Sequence, residues 1–323
     1  MTGLEDSFRR RINYMRISVT DRCDMRCRYC TDRELHPLSR DEILRYEEIE
    51  RIVRAAAGLG VQKLRLTGGE PLLRLHLSRL VEMLVRVRGI DEVSLTTNGT
   101  QLARYAAELR AAGLARVNIS LDSLRPERFL TITGTDRLRD VLRGAEAARR
   151  AGLNPVKLNM VVLRGLNDGE VVDFARKTLT DGWHVRYIEF MPFTAGGELV
   201  PVSEIMSTIQ NALGPLTPHY PSSGNGPARY FRLPGAAGTI GFIGAVTECF
   251  CAACNRFRLT ADGRLRPCLL DDDEIDLKGP LRRGASLEEL QALIREAAAA
   301  KQRQHHLGEG GTPPGRCMRQ LGG

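Results

Sequence analysis

An incomplete (β/α)6 barrel of the TIM type with a smaller β-rich C-terminal module is the fold the sequence predicts. Three observations predict it. Six apolar, strand-like segments each precede an amphipathic helical stretch or a polar loop; the chemically interesting residues sit at the ends of those strands; and composition changes abruptly after Pro201.

The strand segments begin at Tyr14 (YMRISVT), Gln62 (QKLRLTGG), Asp91 (DEVSLTTNG), Ala115 (ARVNISLD), Val156 (VKLNMVVL) and His184 (HVRYIEFMP). Between them, Arg/Ala/Leu-rich stretches near 46–58, 74–87, 101–112, 137–151 and 169–180 carry apolar residues at helical spacing, several closed by glycine. Repeats of this length require parallel strands joined by right-handed crossovers. In such a barrel the loops after the strands converge on one face, where sites are built. Strand-end turn chemistry explains any one of TGGEP, LTTNG, ISLD and IEFMP, but not all four together.

Residues 214–228 are rich in Pro, Gly and Ser and read as an irregular connection, so the chain divides into 1–213 and 214–323. The second part offers short strands and a hairpin turn at Asp262-Gly263.

With 323 residues, 42% of them hydrophobic, the chain has enough apolar material for a substantial core. No run approaches a membrane span and the opening residues lack a signal-peptide core, so a cytoplasmic protein without a membrane partner is expected. The net charge of +8 is mostly dispersed arginine. Without a long basic block or a basic stripe interleaved with aromatics, nucleic acid is not the expected partner; arginines converging on a phosphorylated ligand are.

The eight cysteines cluster too tightly for a disulfide framework. Cys23, Cys27 and Cys30 form a Cys-x3-Cys-x2-Cys run just after the first strand. Three thiolates can hold three irons of a [4Fe-4S] cluster and leave the fourth open to a ligand that is not protein, whereas structural sites normally close with a fourth protein ligand. A second set, Cys251, Cys254 and Cys268, repeats this arithmetic. Zinc, with Cys249 or a histidine completing the set, is its alternative. Arg256 and Arg258, two apart, would share one face of a strand beside it. The pair His305-His306 reads as the polar end of a helix, and the run Asp271–Glu274 as a solvated turn.

At CDMRCRYC and LTGGEPLL the chain resembles the radical S-adenosylmethionine (SAM) enzymes. With YMRISVTDRC, LTTNG, VNISLD, VKLNMVV, RYIEFMP, FCAACNRFRLTADG and the terminal LGG added, it resembles over nearly its whole length the GTP 3′,8-cyclase family, which opens molybdenum cofactor biosynthesis. The resemblance implies two [4Fe-4S] clusters, on Cys23, Cys27 and Cys30 and on Cys251, Cys254 and Cys268. It implies SAM contacts at Tyr29, Gly69, Ser120 and Met191. GTP is expected at Arg16, Arg65, Thr96, Lys157, Arg256, Phe257 and Arg258, and Arg16, Arg256, Arg258, Gly322 and Gly323 are the expected catalytic set. The implied reaction is radical cyclisation of GTP, served by an electron donor, with cyclic pyranopterin monophosphate synthase taking the product. Oligomeric state is left open, a homodimer included. Two departures from the family pattern are Asp24, where Asn is common, and the absence of Met-Pro after Cys30. The rivals are another radical SAM enzyme with an auxiliary cluster and a zinc-stapled RNA-binding protein.

Overall fold

The computed structural model describes residues 3–30, 36–220, 226–305 and 315–322. The six predicted strands form as Tyr14–Ser18 (β1), Lys63–Thr67 (β2), Glu92–Thr97 (β3), Arg116–Ser120 (β4), Lys157–Val162 (β5) and His184–Glu189 (β6). Helices Tyr46–Gly58 (α1), Leu77–Val85 (α2), Leu102–Ala111 (α3), Pro126–Thr133 (α4), Leu138–Arg150 (α5), Val171–Thr180 (α6) and Val202–Leu213 (α7) separate and follow them. Each neighbouring pair from β1 to β6 is parallel. Helix α4, which the periodicity did not mark, starts with Pro126 in its first turn, where a missing N–H costs nothing.

Strand alternation divides the side chains sharply. Leu64, Leu66, Val93, Leu95, Val117, Ile119, Leu158, Met160, Val185 and Tyr187 are buried in the shell between strands and helices. Each aliphatic among them stabilises the fold by about 1.5–3 kcal/mol relative to exposure. The alternate positions turn inward, and apart from Val161 and Ile188 near the ends of β5 and β6 those lining the cavity are polar or charged, among them Arg16, Arg65, Thr96, Arg116, Asn118, Lys157, Asn159 and Arg186.

After α7 come Thr217–Pro218 (β7), Arg229–Arg232 (β8), Thr239–Ile243 (β9), Arg256–Leu259 (β10), Arg264–Arg266 (β11) and Ile275–Asp276 (β12), then Lys278–Arg282 (α8), Leu287–Ala299 (α9) and Met318–Leu321 (α10). The expected turn at Asp262-Gly263 joins β10 to β11 as an antiparallel pair, with Gly263 at φ +80°. These strands are not a separate sheet. β10 runs parallel beside β1 and β9 parallel beside β6, giving one twelve-stranded sheet in the order β12-β11-β10-β1-β2-β3-β4-β5-β6-β9-β8-β7. A boundary at 213/214 falls between α7 and β7, yet strands from both sides share this sheet. The later residues are also less purely β than expected: α9 packs on α1 and is fixed by a capping box of Ser286 and Glu289.

Candidate active site

The inward faces of the strands enclose a cavity of about 400 Å³. The strand register lays cations around it in rows: Arg258 of β10 stands beside Arg16 of β1, which stands beside Arg65 of β2, and Asn159 of β5 is level with Arg186 of β6. Lys157, Arg256 and Arg116 complete the basic lining. Of these, Arg116 is already committed to Glu92.

Crowding these cations in a dry space makes their charged forms costly. Burial, then Arg258, holds the Arg16 guanidinium well below its ordinary pKa, and burial with Arg256 beside it brings Arg258 down to about 9. Burial also lowers Lys157, whose Nζ donates to the Tyr230 hydroxyl at 3.2 Å, and it lowers Arg186. Two tyrosines respond in the opposite sense. Burial raises Tyr14 and Tyr230, but Arg65 and Arg16 outweigh it at Tyr14, as Arg186 and Lys157 do at Tyr230.

Beyond the Glu92–Arg116 pair, the carboxylates at the ends of β2 and β6 do not neutralise this group. Glu70 and Glu189 spend their oxygens on N–H groups and hydroxyls: Glu70 accepts from Leu72 N, Thr97 Oγ1 and Asn98 N, and Glu189 from Val202 N, Val246 N and Thr247. Burial pushes Glu70 up to about 7 despite those bonds. Among the described residues, the Nε and Nη2 of Arg186 and the Oδ1 atoms of Asn118 and Asn159 are buried without a hydrogen-bond partner. A polyanion with ribose hydroxyls would satisfy both the charges and the orphaned atoms.

The two cysteine triplets flank this space. Cys23, Cys27 and Cys30 lie on the loop after β1, outside the cavity lining but joined to it by Tyr29, whose hydroxyl donates to Asp122 Oδ2 at 2.7 Å. Burial raises the Cys23 thiol to about 11, Cys27 well up and Cys30 to about 12, so a cationic centre is needed to draw them into the thiolate form. Their three sulfurs do not all lie within 4.8 Å of one another, a wider spread than one tetrahedral zinc requires. The residues fit a cluster. Cys251, Cys254 and Cys268 line the cavity directly, with Leu270 N donating to Cys268 Sγ at 3.4 Å. Burial pushes Cys254 up, but Arg256 and Lys301 outweigh it and hold the thiol near 7.

Of the residues expected to contact SAM, Tyr29, Ser120 and Met191 line the cavity. Gly69 does not; a Cβ there would stand 2.2 Å from Arg22 O, so this glycine lets the loop after β2 press against the first cysteine loop. Among the expected GTP contacts, Arg16, Arg65, Thr96, Lys157, Arg256 and Arg258 face inward, while Phe257 points the other way and is fully buried in the core. Asp24 accepts from Asn98 Nδ2 at 2.6 Å, Thr100 Oγ1 at 2.8 Å and Arg137 Nη1 at 3.1 Å, so the carboxylate itself ties the cluster loop to the end of β3.

The C-terminal tail reaches this site. Met318 N donates to Cys30 O at 3.2 Å, and Arg258 Nη1 donates to Gly322 O at 2.8 Å. Gly322 has φ +72°, and a Cβ there would lie 2.7 Å from Thr67 Cγ2. Gly323, the residues 308–314 before the tail, His306 and most of the stretch after Cys30 lie outside the described residues. The acidic run is more than a solvated turn: Asp272 accepts from Gly315 N, and Glu274 with Asp262 holds Arg316. Sequence reasoning missed Arg186, Asp122 and Tyr230. Arg186 carried a signal, a cation in an otherwise apolar strand two residues after His184; Tyr230 carried none, because nothing local places β8 beside the barrel.

Residues 17–178 match the Radical SAM superfamily, and residues 183–307 match Molybdenum Cofactor Synthesis C. The chain is 52% identical over 326 residues to a GTP 3′,8-cyclase of Pelotomaculum thermopropionicum, covering 99% of this chain and 100% of the relative. It is 50% identical over 325 residues to one of Heliobacterium modesticaldum, covering 98% and 99%. Among solved structures, Streptococcus suis SuiB bound to S-adenosylmethionine superposes with a TM-score of 0.63 at 15% identity, covering 88% of this chain and 68% of that one. An anSMEcpe structure with bound AdoMet superposes at 0.59 and 16%, covering 91% and 82%. These two likenesses show the shared fold.

Proposed function

The chain belongs to the GTP 3′,8-cyclase family of radical SAM enzymes, and from that membership we propose that its cavity converts GTP to (8S)-3′,8-cyclo-7,8-dihydroguanosine 5′-triphosphate, the first step of molybdenum cofactor biosynthesis. The observation that carries this reading is the ring of inward cations between two cysteine triplets. Two [4Fe-4S] clusters and SAM are the cofactors. With the first cluster and SAM bound, the chemistry supplied is a 5′-deoxyadenosyl radical able to take the 3′ hydrogen of GTP.

The remaining work falls to the chain. Cys23, Cys27 and Cys30 would hold the first cluster, and Tyr29, Ser120 and Met191 the SAM beside it. The loop that Gly69 lets close behind the cysteines would support that ligand. Arg16, Arg65, Lys157 and Arg186 would take the triphosphate, with Thr96 donating a hydroxyl. Cys251, Cys254 and Cys268 would hold the second cluster, with Arg256 and Arg258 orienting the nucleotide against it and the backbone at Phe257 contributing to that wall. Gly322, accepting from Arg258, fixes the direction of that guanidinium, and Gly323 would extend the same tail. The apolar shell around the barrel keeps water from reactive carbon centres.

Free cysteines and iron-sulfur clusters suit a reducing compartment, so the reaction belongs in the cytoplasm; among the described residues no helix is long and apolar enough to cross a membrane. A separate electron donor would serve the first cluster, and cyclic pyranopterin monophosphate synthase would consume the product. A homodimer is compatible with this reading. Anaerobic incubation with dithionite, SAM and GTP, followed by mass spectrometry, tests it: 5′-deoxyadenosine and a nucleotide isomeric with GTP should appear together. SAM cleavage that never depends on GTP, with GTP returned unchanged, would overturn it.

A further inference from the structure

Cys249 and His305 have no part in the reaction just described. Nevertheless the structure brings both to Cys251: the two sulfurs and a ring nitrogen of His305 all lie within 4.8 Å of one another. Among the described residues, no other three His, Cys, Asp or Glu side chains gather so closely.

This approach is built rather than incidental. Arg10 donates from Nη1 to Cys251 O at 2.8 Å and to Arg303 O at 2.9 Å, and from Nη2 to Gln302 O at 2.6 Å. Its Nε is held by Asp6, and both side chains of that ion pair are buried. Lys301 Nζ donates to Arg256 O at 3.2 Å and also to the Pro267 carbonyl. Two buried cations therefore stitch residues 301–303 onto the loops that carry the second triplet. The backbone N–H of His305 itself donates to the Cys251 sulfur.

Ligand atoms around one tetrahedral zinc, with bonds of about 2.3 Å to sulfur and about 2.0–2.1 Å to nitrogen, stand roughly 3.5–3.8 Å apart. Thiolates on two different irons of one cluster must be further apart by the separation of those irons. The trio therefore matches a single ion. Two thiolates and a neutral imidazole balance a divalent charge, and they suit a borderline-soft metal.

We propose that Cys249, Cys251 and His305 form a site for one borderline-soft divalent cation, typified by zinc, in protein that lacks its second cluster. The proposal rests on the assignment of Cys251 to that cluster, because Cys251 serves one occupant at a time. Cation binding releases the two thiol protons and leaves a fourth position open to water. Zinc at this site then opposes assembly of the second cluster.

Full-length protein stripped of clusters under anaerobic conditions provides the test, with Co²⁺ as an optical probe. In a Cys254→Ser background, where the second triplet is broken but the trio is intact, one Co²⁺ should bind with a thiolate charge-transfer band that depends on Cys249. Adding Cys249→Ser or His305→Ala should weaken that binding by about tenfold or more. Cys249 is exposed, so its replacement leaves the fold in place. In a second arm, one equivalent of Zn²⁺ added before reconstitution should hold the wild type near about four irons instead of about eight, and should do so far less in Cys249→Ser. Equal cobalt affinity with and without Cys249, or zinc inhibition that ignores it, overturns the proposal. If wild type without zinc also stops near four irons, the second-cluster reading fails instead, whatever the cobalt titration gives.

Discussion

Lys157 is only 3% exposed and sits over the Tyr230 ring with its Nζ 4.8 Å from the centroid. Burial lowers its pKa, and Arg186 adds to that effect. Binding a phosphate relieves this cost while adding a charge-assisted hydrogen bond worth about 1.5–3 kcal/mol. Lys157→Ala or Arg186→Ala should therefore weaken GTP binding by roughly ten- to a hundredfold, with SAM binding little changed, as anaerobic calorimetry with each ligand would report. Equal loss of both ligands would mean that the barrel itself had been damaged. Much of this was legible in the chain: Arg16, Arg65 and Lys157 stand out as cations in otherwise apolar strands, and period-two alternation sends them to one face. Arg186 obeys the same rule. What could not be read was the company they keep, since Tyr230 arrives from β8, a strand separated from β6 by α7 and β7, and Asp122 becomes visible only once Tyr29 is seen to point at it.

At the scale of elements, the short helix α10 and the clasp between α1 and α8 carry separate expectations. Helix α10 is capped by Gly322, whose left-handed backbone disfavours a side chain and where an added Cβ would meet Thr67 Cγ2 at 2.7 Å. Gly322→Ala should lift the tail from Arg258, and deletion of Gly322-Gly323 should nearly abolish cyclisation, with iron content and SAM binding retained in both. Glu48 of α1 accepts from Arg282 Nε at 2.8 Å and from Arg45 N at 2.7 Å. Burial would raise its pKa, but Arg282 and Arg45 outweigh this and hold it near 2, against an ordinary value of 4.5. The folded carboxylate is thus the weaker base, so its stabilisation is complete above pH 4.5 and is lost as pH falls towards 2. Because the Arg282 side chain is 34% exposed, solvent screening limits the effect to about 1 kcal/mol. Urea midpoints measured across that window should fall more steeply for wild type than for Glu48→Gln. The chain announced α1 to the residue and yet hid α9. Its Ser286/Glu289 capping box was present, but the strand and turn signals before it set the expectation of a β-rich module.

For the whole molecule, the decisive fact is that both flanks of the six-stranded arc are covered by later strands. β1 pairs with β10 from Tyr14↔Arg256 to Ile17↔Leu259, and β6 pairs with β9 from His184↔Thr239 to Ile188↔Ile243. From the sequence, the Pro/Gly-rich stretch after α7 reads as a linker between parts; sheet pairing between residues so distant leaves no local mark. A fragment of residues 1–213 would present the ladder groups of β1 and β6 unpaired, together with apolar surface that α9 covers on α1. Open, hydrophobic sheet edges of this kind pair with other chains and aggregate. Such a fragment should be insoluble or partly folded when expressed alone, and co-expression with residues 214–323 should restore a soluble complex. In the intact protein, amide exchange should protect β1, β6, β9 and β10 together, as one cooperative unit. Independent folding of residues 1–213, with native protection of β1 and β6, would show that the later strands merely decorate a finished barrel.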